Sequence, residues 1–336
     1  LGARQVGKTY ILKKFGKEYF SNYIYINCHN NEFVEKLFHN FDIKRILEDI
    51  SIEYNSKITI GKTLLIFDEV QECSAARASV KYFIKDGRYS IIESGSLLGI
   101  KGYNPNYSSV PVGFEHSLTM YSLDFEEFLW AKGVNENTIN QIKYAFTHKQ
   151  NLPEVINNRF TNLFREYLIV GGMPRVVKKY LQTNSFSFAK QEQQDLIKEF
   201  KDDFGKHLNK DENAVFNKSL LNNINKIFDS IPSQLAKENN KFSYAQVMKK
   251  GRSAVFDSAI QWLVEYGLIQ KCYNLSQLSL PFMGNRIDNC FKIYPTDIGL
   301  LIAMLNDSSI NIINHSYGIY RGAIYEGLVA DAMIKN

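Results

Sequence analysis

The feature that most constrains this chain is residues 2–9, which read GARQVGKT and match the pattern G-x-x-x-x-G-K-[ST] at every position. In such a loop the two glycines allow backbone N–H groups to surround phosphate oxygens. Lys8 can reach the β- and γ-phosphates of a nucleotide, and the Thr9 hydroxyl can bind Mg²⁺. The residues expected to contact the nucleotide are Gly2, Ala3, Arg4, Gln5, Val6, Gly7, Lys8, Thr9 and Tyr10.

A second motif lies in residues 63–69, which read TLLIFDE. A continuous apolar run of this length is typical of a strand buried in a parallel sheet. Ligands of open α/β sheets bind at the carboxyl ends of such strands. We therefore predict that Asp68 serves Mg²⁺ and that Glu69 polarises the attacking water. Taken alone, an Asp-Glu pair would more often be a solvated strand end.

A third strand of the same sheet is predicted by residues 89–96, which read YSIIESGS. The end of this strand would place a polar side chain between the γ-phosphate and the water. Ser94 and Ser96 are the two candidates. The alternative is that both are ordinary serines in a turn beside Gly95. For either serine taken singly, this interpretation is nearly as good as a functional role.

The remaining N-terminal elements complete an α/β fold. Residues 23–27 predict a strand, residues 32–54 a helix, residues 74–85 a helix after the Asp-Glu strand, and residues 116–121 the last strand. Strands that alternate with helices imply a parallel sheet. We assign residues 1–123 to a P-loop NTPase core with a doubly wound parallel sheet.

The pattern becomes helical from Asp124, and residues 124–240 are assigned to a helical lid. Ser122 is the expected N-cap of its first helix. Residues 154–170 predict another helix that ends at Gly171, and Pro174 suits the first turn of the next helix.

Residues 241–310 predict a winged-helix domain. Two helices at 242–250 and 253–266 precede two strands, and this order is that of a winged helix. The basic residues of the unit are Lys249, Lys250, Arg252 and Arg286. The second helix carries Asp257, Gln261 and Glu265 but no Lys or Arg, so any DNA contact should be independent of sequence. A fold used only for packing is at least as good an interpretation.

Composition excludes several classes of protein. The chain has 336 residues, 45% of them hydrophobic, and a formal net charge of +5, which is too mild to indicate nucleic acid by itself. Its four cysteines form no C-x-x-C pair, which disfavours a zinc site and suits a reducing cytoplasm. No apolar run is long enough to cross a bilayer, so we expect no membrane contact.

Several segments together resemble the prokaryotic AAA-type P-loop ATPases that carry an uncharacterised C-terminal domain, often ending in a PD-(D/E)xK nuclease-like fold. The segments that carry the resemblance are GARQVGKT at 2–9, LLIFDEVQE at 64–72, LTMYSLDFEEFL at 118–129, YLIVGGMPRVV at 167–177, IYPTDIGLL at 293–301 and YRGAIYEGLVADAMIKN at 320–336. The first two are common to P-loop ATPases, and the other four are more specific.

The resemblance implies a magnesium-dependent ATP hydrolase. Gly2, Gly7, Lys8 and Thr9 would bind ATP, and Asp68 and Glu69 would serve Mg²⁺ and water. Either Ser94 or Ser96 would occupy the sensor strand. AAA-type relatives commonly complete their sites with an arginine from a neighbour in a homo-oligomer. Many of them have a Gly-Arg pair where this chain has Gly113-Phe114, so Arg175 is the first substitute, with Arg159 and Arg165 as alternatives.

The two ends of the sequence also bear on the resemblance to this family. A strand normally precedes a P-loop, and relatives continue from a helix like 322–334 into strands that carry metal-binding carboxylates. We therefore expect the sequence to be truncated at both ends, with residues 311–336 beginning the nuclease-like domain. Glu326 would be its first acidic position. Glu199-Phe200-Lys201 matches E-x-K by letter only and lies in a predicted helix.

Three functions remain open at this point. The first is an ATPase whose cycle drives conformational change in its C-terminal domains. The second is a nucleotide-gated, DNA-binding switch with slow turnover. The third is the regulatory ATPase part of a nuclease or defence-type system. The intact Asp68-Glu69 pair favours hydrolysis over a role in binding alone.

Overall fold

The computed structural model describes residues 1–29, 32–38, 41–95, 113, 115–208, 214–237, 241–249, 251–305 and 320–335. Contacts divide the chain into two units, Leu1–Met120 and Tyr121–Asn336.

The first unit is a mixed α/β structure around a small parallel sheet. Its helices are α1 (Lys8–Tyr19), α2 (Glu32–Leu37), α3 (Ile43–Glu53) and α4 (Ser74–Asp86), and its strands are β1 (Asn22–Asn27), β2 (Thr63–Asp68) and β3 (Ser90–Glu93). The described strands are all parallel and lie in the order β1-β2-β3. Strand β2 is therefore central, which is why all six of its residues are buried and why its sequence is a continuous apolar run.

The core of this unit lies between the sheet and helices α2, α3 and α4. Apolar residues from every second position of β1 and β2 pack there against one face of each helix. The principal members are Ile24, Ile26, Leu65, Phe67, Val34, Ile46, Ile50, Val80 and Phe83. This packing fixes the carboxyl end of β2, where Asp68 lies.

Two predictions for the first unit are wrong. The helix expected over 32–54 is two helices, α2 and α3, because Asp42 caps α3 by accepting hydrogen bonds from the backbone N–H groups of Lys44 and Arg45. The strand expected over 116–121 is one isolated bridge, in which Met120 pairs in parallel with Gly2.

The second unit is mainly helical. Its helices are α5 (Phe125–Ala131), α6 (Glu136–Thr147), α7 (Glu154–Val170), α8 (Pro174–Thr183), α9 (Phe186–Leu208), α10 (Ala214–Leu235), α11 (Tyr244–Val247), α12 (Ser253–Tyr266), α13 (Ile298–Leu305) and α14 (Arg321–Lys335). Its two described strands, β4 (Ile269–Leu275) and β5 (Arg286–Pro295), form an antiparallel pair.

The turn between α7 and α8 forms as predicted. Gly171 ends α7 at a φ of 72°, a left-handed value that favours glycine, and Pro174 is the first residue of α8. A Cβ atom on Gly172 would lie 1.9 Å from the backbone oxygen of Leu123. Glycine is therefore required at position 172 by the close approach of these two backbone segments.

The predicted N-cap of α5 is wrong. Asp124, not Ser122, caps this helix, since its side chain accepts a hydrogen bond from the Glu127 backbone while the Glu127 side chain accepts one from the Asp124 backbone. Ser122 is buried and donates instead to a carboxylate far away in the sequence, Asp297.

Helices α11 and α12 and strands β4 and β5 follow one another in the order expected of a winged helix. Helix α12 has the predicted bounds. An aromatic cluster joins it to α9 and α10, in which Phe204 of α9 contacts Phe228 of α10 and both Trp262 and Tyr266 of α12. The winged-helix assignment itself stays a prediction. Among the described residues, none of the helices combines the length and the apolar character needed to cross a membrane.

Candidate functional site

The glycine-containing loop curls back on itself before α1 begins. Gly2, Gln5 and Gly7 have φ values of 149°, 64° and 98°. A Cβ on Gly2 would lie 2.3 Å from the backbone oxygen of Met120, so only glycine fits beside that bridge. Gly7 precedes the first turn of α1, where unpaired backbone N–H groups favour an anion.

The amino group of Lys8 lies over this loop. Its Nζ donates hydrogen bonds to the backbone oxygens of Gly2 at 2.9 Å and Ala3 at 2.7 Å. Burial lowers the pKa of Lys8, while the charges of Glu69 and Asp68 oppose that shift. The loop thus has a charged group at its centre, with two carboxylates nearby.

The two sequence motifs meet at Asp68. Thr9 Oγ1 donates to Asp68 Oδ2 at 2.7 Å, and the Glu69 backbone N–H donates to Asp68 Oδ1 at 3.1 Å. The Asp68 residue is only 3% exposed, yet both carboxylate oxygens have partners. A hydroxyl and a carboxylate are the hard oxygen ligands that Mg²⁺ prefers, so these residues fit the ion.

Tyr25 is a third contact of this carboxylate, and sequence reasoning missed it. Its hydroxyl donates to Asp68 Oδ2 at 2.7 Å. Burial, followed by this hydrogen bond, raises the pKa of Tyr25. The signal available in the sequence was a tyrosine near the carboxyl end of β1, the strand that pairs in register with β2.

Glu69 stands immediately beyond β2 in an uncommon conformation. Its φ of 53° and ψ of 41° are left-handed, a conformation that costs free energy in residues other than glycine. The Gln71 side chain donates a hydrogen bond to Glu69 Oε2, a contact that sequence reasoning also missed. Strain of this kind is commonly found at functional sites, and Glu69 is the residue that was predicted to polarise water.

Ser94 lies at the end of β3, as predicted. Its backbone N–H donates to Phe67 and its backbone oxygen accepts from Val70, so it is held beside the end of β2. The residue is 3% exposed, and its hydroxyl has no hydrogen-bond partner among the described residues. Ser96, the other candidate, and Phe114 lie outside the described residues.

The other residues predicted to contact nucleotide differ in exposure. Ala3 and Val6 are buried, Arg4 is half-buried and Gln5 is exposed. Tyr10 in the first turn of α1 is 72% exposed. Buried residues of the loop can still contact phosphate through their backbone N–H groups, whereas the ring of Tyr10 is exposed to solvent.

A buried arginine joins the end of β3 to Glu115. Arg77 of α4, with 7% of its side chain exposed, contacts Glu93 at 3.1 Å and Glu115 at 2.9 Å. Burial raises the pKa of Glu93 to about 7 although the charge of Arg77 opposes the shift. Glu93, one member of this network, is the residue immediately before Ser94 in the sequence.

The three arginines considered as fingers all lie in the second unit. Arg175 forms ion pairs with Glu192 and with Glu199, the latter at 2.8 Å. Arg165 is half-buried and donates to Asn162. Arg159 is exposed on α7.

The more specific segments of the resemblance meet in a buried polar cluster in the second unit. Asp297 Oδ2 accepts from Ser122 Oγ and from the Gly172 backbone N–H, each at 2.8 Å. Asp297 Oδ1 accepts from the Leu300 backbone N–H in α13. One buried carboxylate therefore joins the segments at 118–129, 167–177 and 293–301.

Helix α14 contributes the rest of the cluster. Lys335 Nζ lies 2.9 Å from Asp331 and 3.1 Å from the Leu123 backbone oxygen, and Tyr167 also donates to that oxygen at 3.0 Å. Burial raises the pKa of Asp331 to about 7, and the charge of Lys335 opposes it. The last of the four segments thus joins the same cluster, which indicates that these residues hold the unit together.

The four basic residues predicted to contact DNA differ in their surroundings. Lys249 and Arg252 are exposed on either side of residue 250, and Lys250 lies outside the described residues. Arg286 pairs with Asp288 at 2.7 Å and lies over the ring of Tyr273. On α12, Gln261 pairs with Glu265, and Asp257 accepts from Tyr244.

Glu326, which was predicted to be the first acidic position of a nuclease-like domain, forms hydrogen bonds with neighbouring side chains. Glu326 of α14 accepts from Lys292 at 2.7 Å and from Tyr294 at 3.1 Å. Among the described residues, no group of three His, Cys, Asp or Glu side chains is placed to hold a metal ion. The E-x-K at 199–201 lies within α9, with Glu199 bound to Arg175 and Lys201 to Asp229.

Comparison with known families separates the two halves of the chain. Residues 1–129 match the family model of an AAA domain. The match supports an AAA-type P-loop ATPase in this part of the chain, with the small parallel sheet described above. Residues 161–311 match a domain of unknown function (DUF8612), so the AAA domain is followed by a region to which the family assigns no activity. A search of curated proteins found no match.

Proposed function

We propose that this chain is an AAA-type ATPase that binds ATP with Mg²⁺ and hydrolyses it. The observation that carries the proposal is the hydrogen bond between Thr9 and Asp68, because it brings the two motifs of a nucleotide-hydrolysing site together. The match of residues 1–129 to an AAA domain agrees with it.

Each residue of the site has a proposed role. The backbone of residues 2–7 would surround the phosphates, and Lys8 would contribute a positive charge to them. Thr9 and Asp68 would hold Mg²⁺, which neutralises charge that develops on the phosphates. Glu69 would orient and polarise water, and Ser94 would donate its hydroxyl near the γ-phosphate. For Ser96 and Tyr10, a role in this site is proposed from the sequence alone.

The test is release of phosphate from ATP by the purified chain, with Mg²⁺ and with excess chelator. We expect turnover only with Mg²⁺. Tight binding of ATP without any turnover would replace the proposal by a nucleotide-gated switch. Absence of both binding and turnover would overturn it.

We further propose that an arginine from another copy completes the site. Arg175 was the first choice from sequence, but its guanidinium is engaged by two carboxylates of α9, whereas Arg159 is exposed. Fingers of this kind can contribute about 10³-fold or more to turnover. Turnover should then rise more steeply than protein concentration, and Arg159→Ala or Arg175→Ala should remove that rise. If neither variant changes turnover, nor does Arg165→Ala, none of the three is the finger.

The second candidate function is contact with DNA by residues 241–310, which we propose to form a winged helix. Exposed Lys249 and Arg252 beside α12 favour phosphate contacts, while the paired polar groups of α12 disfavour base reading. Binding to random duplexes should then be weak, insensitive to sequence and reduced by salt. Lys249→Ala/Arg252→Ala should remove it. Tight binding to one sequence would contradict this account, and no binding at low salt would leave a packing role.

A further inference from the structure

The carboxylate of Asp68 receives more hydrogen bonds than the two motifs require. Thr9 and Tyr25 each donate a hydroxyl hydrogen to the same oxygen, Oδ2, at 2.7 Å. The other oxygen accepts from the backbone of Glu69. Three donors thus fix both the rotamer and the plane of this carboxylate.

Tyr25 is itself held in place. Its backbone pairs with Ile66 in the sheet, two residues before Asp68. The ammonium group of Lys13 on α1 lies 3.7 Å from the centroid of its ring. The strand fixes the backbone of Tyr25 and Lys13 contacts its ring. The side chain therefore has little conformational freedom, and its hydroxyl is held beside Asp68.

We propose that Tyr25 is a positioning residue for the magnesium site, holding the Asp68 carboxylate in the orientation in which it and Thr9 bind the ion. The inference rests on the proposed function. Residues that hydrogen-bond a metal ligand commonly change metal affinity by about 10- to 100-fold when they are removed. Tyr25 would act through Asp68 and touch neither nucleotide nor ion.

The matched variants are Tyr25→Phe and Tyr23→Phe. Tyr25→Phe removes one hydroxyl and retains the ring that contacts Lys13. Tyr23 lies two residues earlier on the same strand, so it faces the same side of the sheet, and its ring packs against Gly16. Tyr23→Phe therefore controls for loss of a phenol at this face of β1.

The measurement is ATP affinity by calorimetric titration, once with saturating Mg²⁺ and once with excess chelator. The ratio of the two affinities is the contribution of the ion, and a general loss of stability would not change that ratio selectively. For Tyr25→Phe we expect the ratio to fall about tenfold while affinity in chelator is unchanged. Tyr23→Phe should match the wild type in both conditions.

The outcomes separate the inference from the proposed function. A wild-type chain whose ATP affinity does not depend on Mg²⁺ would overturn the proposed magnesium site, and the role of Tyr25 with it. A wild type with a clear Mg²⁺ dependence that Tyr25→Phe fully retains would overturn the inference alone.

Discussion

Thr9 and Asp68 are 59 residues apart in the sequence, and the hydroxyl of one donates to the carboxylate of the other at 2.7 Å. Thr9 belongs to the first turn of α1 and Asp68 to the last position of β2, which is the buried central strand. The fold thus brings the proposed phosphate-binding loop and the carboxylate proposed to bind magnesium into direct contact.

Removal of the Lys8 charge should weaken nucleotide binding. Lys8 is the cation centred over the loop, where it contacts the backbone oxygens of Gly2 and Ala3. Hydrogen bonds between charged groups contribute about 1.5–3 kcal/mol each, so Lys8→Ala should lower ATP affinity by about 100-fold. Equilibrium binding of a fluorescent ATP analogue measures this change.

The control for Lys8 is Lys14→Ala on the same helix. Lys14 is half-exposed and its amino group lies 3.8 Å from Glu18. A surface pair of this kind contributes little, so ATP affinity should be unchanged. Equal losses in both variants would mean that general positive charge, and not the position of Lys8, determines binding.

Gly172→Ala should destabilise the second unit. The new Cβ would lie 1.9 Å from the Leu123 backbone oxygen, so backbone segments that are joined through Asp297 must separate. We expect a loss of about 3 kcal/mol or more in the free energy of unfolding. Both tryptophans of the chain, Trp130 and Trp262, lie in this unit, so urea unfolding followed by tryptophan fluorescence reports it.

Gly322→Ala is the matched control, because among the described residues outside its own helix backbone and its chain neighbours no atom lies within 4 Å of its Cβ position in α14. Alanine is the better helix former, so this change should be neutral or should stabilise by about 0.5–1 kcal/mol. If Gly172→Ala were equally harmless, the close backbone approach would be contradicted.

Glu93 should make the first unit less stable as pH rises. Its pKa is raised by burial from 4.5 to about 7, so the folded state holds the proton more tightly than the unfolded state does. The stability from this group is fully present below about pH 4.5 and is lost as pH rises to about 7. By the relation of about 1.4 kcal/mol per pKa unit, the loss is at most about 3–4 kcal/mol.

Glu93→Gln should flatten this pH dependence. Calorimetric unfolding at pH 5, 6, 7 and 8 compares the variant with the wild type. The groups that face Glu93 and remain in the variant are Arg77, Glu115 and Cys28. Because the tryptophans lie in the other unit, their fluorescence transition serves as an internal reference. If the free energy of unfolding changed with pH in the same way in both proteins, the raised pKa of Glu93 would be contradicted.

Local patterns predicted the elements whose ends are set by nearby residues. Helix α7 ends at Gly171 because that residue adopts a left-handed φ, and α8 begins at Pro174, and both signals are visible in the sequence. The buried strand β2 was visible because a central strand is apolar on both faces. The candidate site follows from these motifs, since loop and strand end must meet in a parallel sheet.

Contacts between distant residues could not be predicted in this way. Ser122 resembles an N-cap, but Asp124 takes that place because Ser122 donates to Asp297, 175 residues later. The hydroxyl of Tyr25 reaches Asp68 through the pairing of β1 with β2, and no spacing in the sequence encodes that hydrogen bond. Such contacts depend on strand register and helix packing, which local patterns do not specify.

The central claim is hydrolysis of ATP with Glu69 as the residue that polarises water, and one comparison tests it most directly. ATP binding and phosphate release with Mg²⁺ are measured for the wild type, Glu69→Gln and the control Glu72→Gln, which changes a carboxylate in the adjoining turn. An amide orients and deprotonates water poorly, so Glu69→Gln should bind ATP normally and release phosphate about 100-fold or more slowly. Glu72→Gln should behave as the wild type. Phosphate release by Glu69→Gln at the wild-type rate, with ATP bound equally well, would contradict the account.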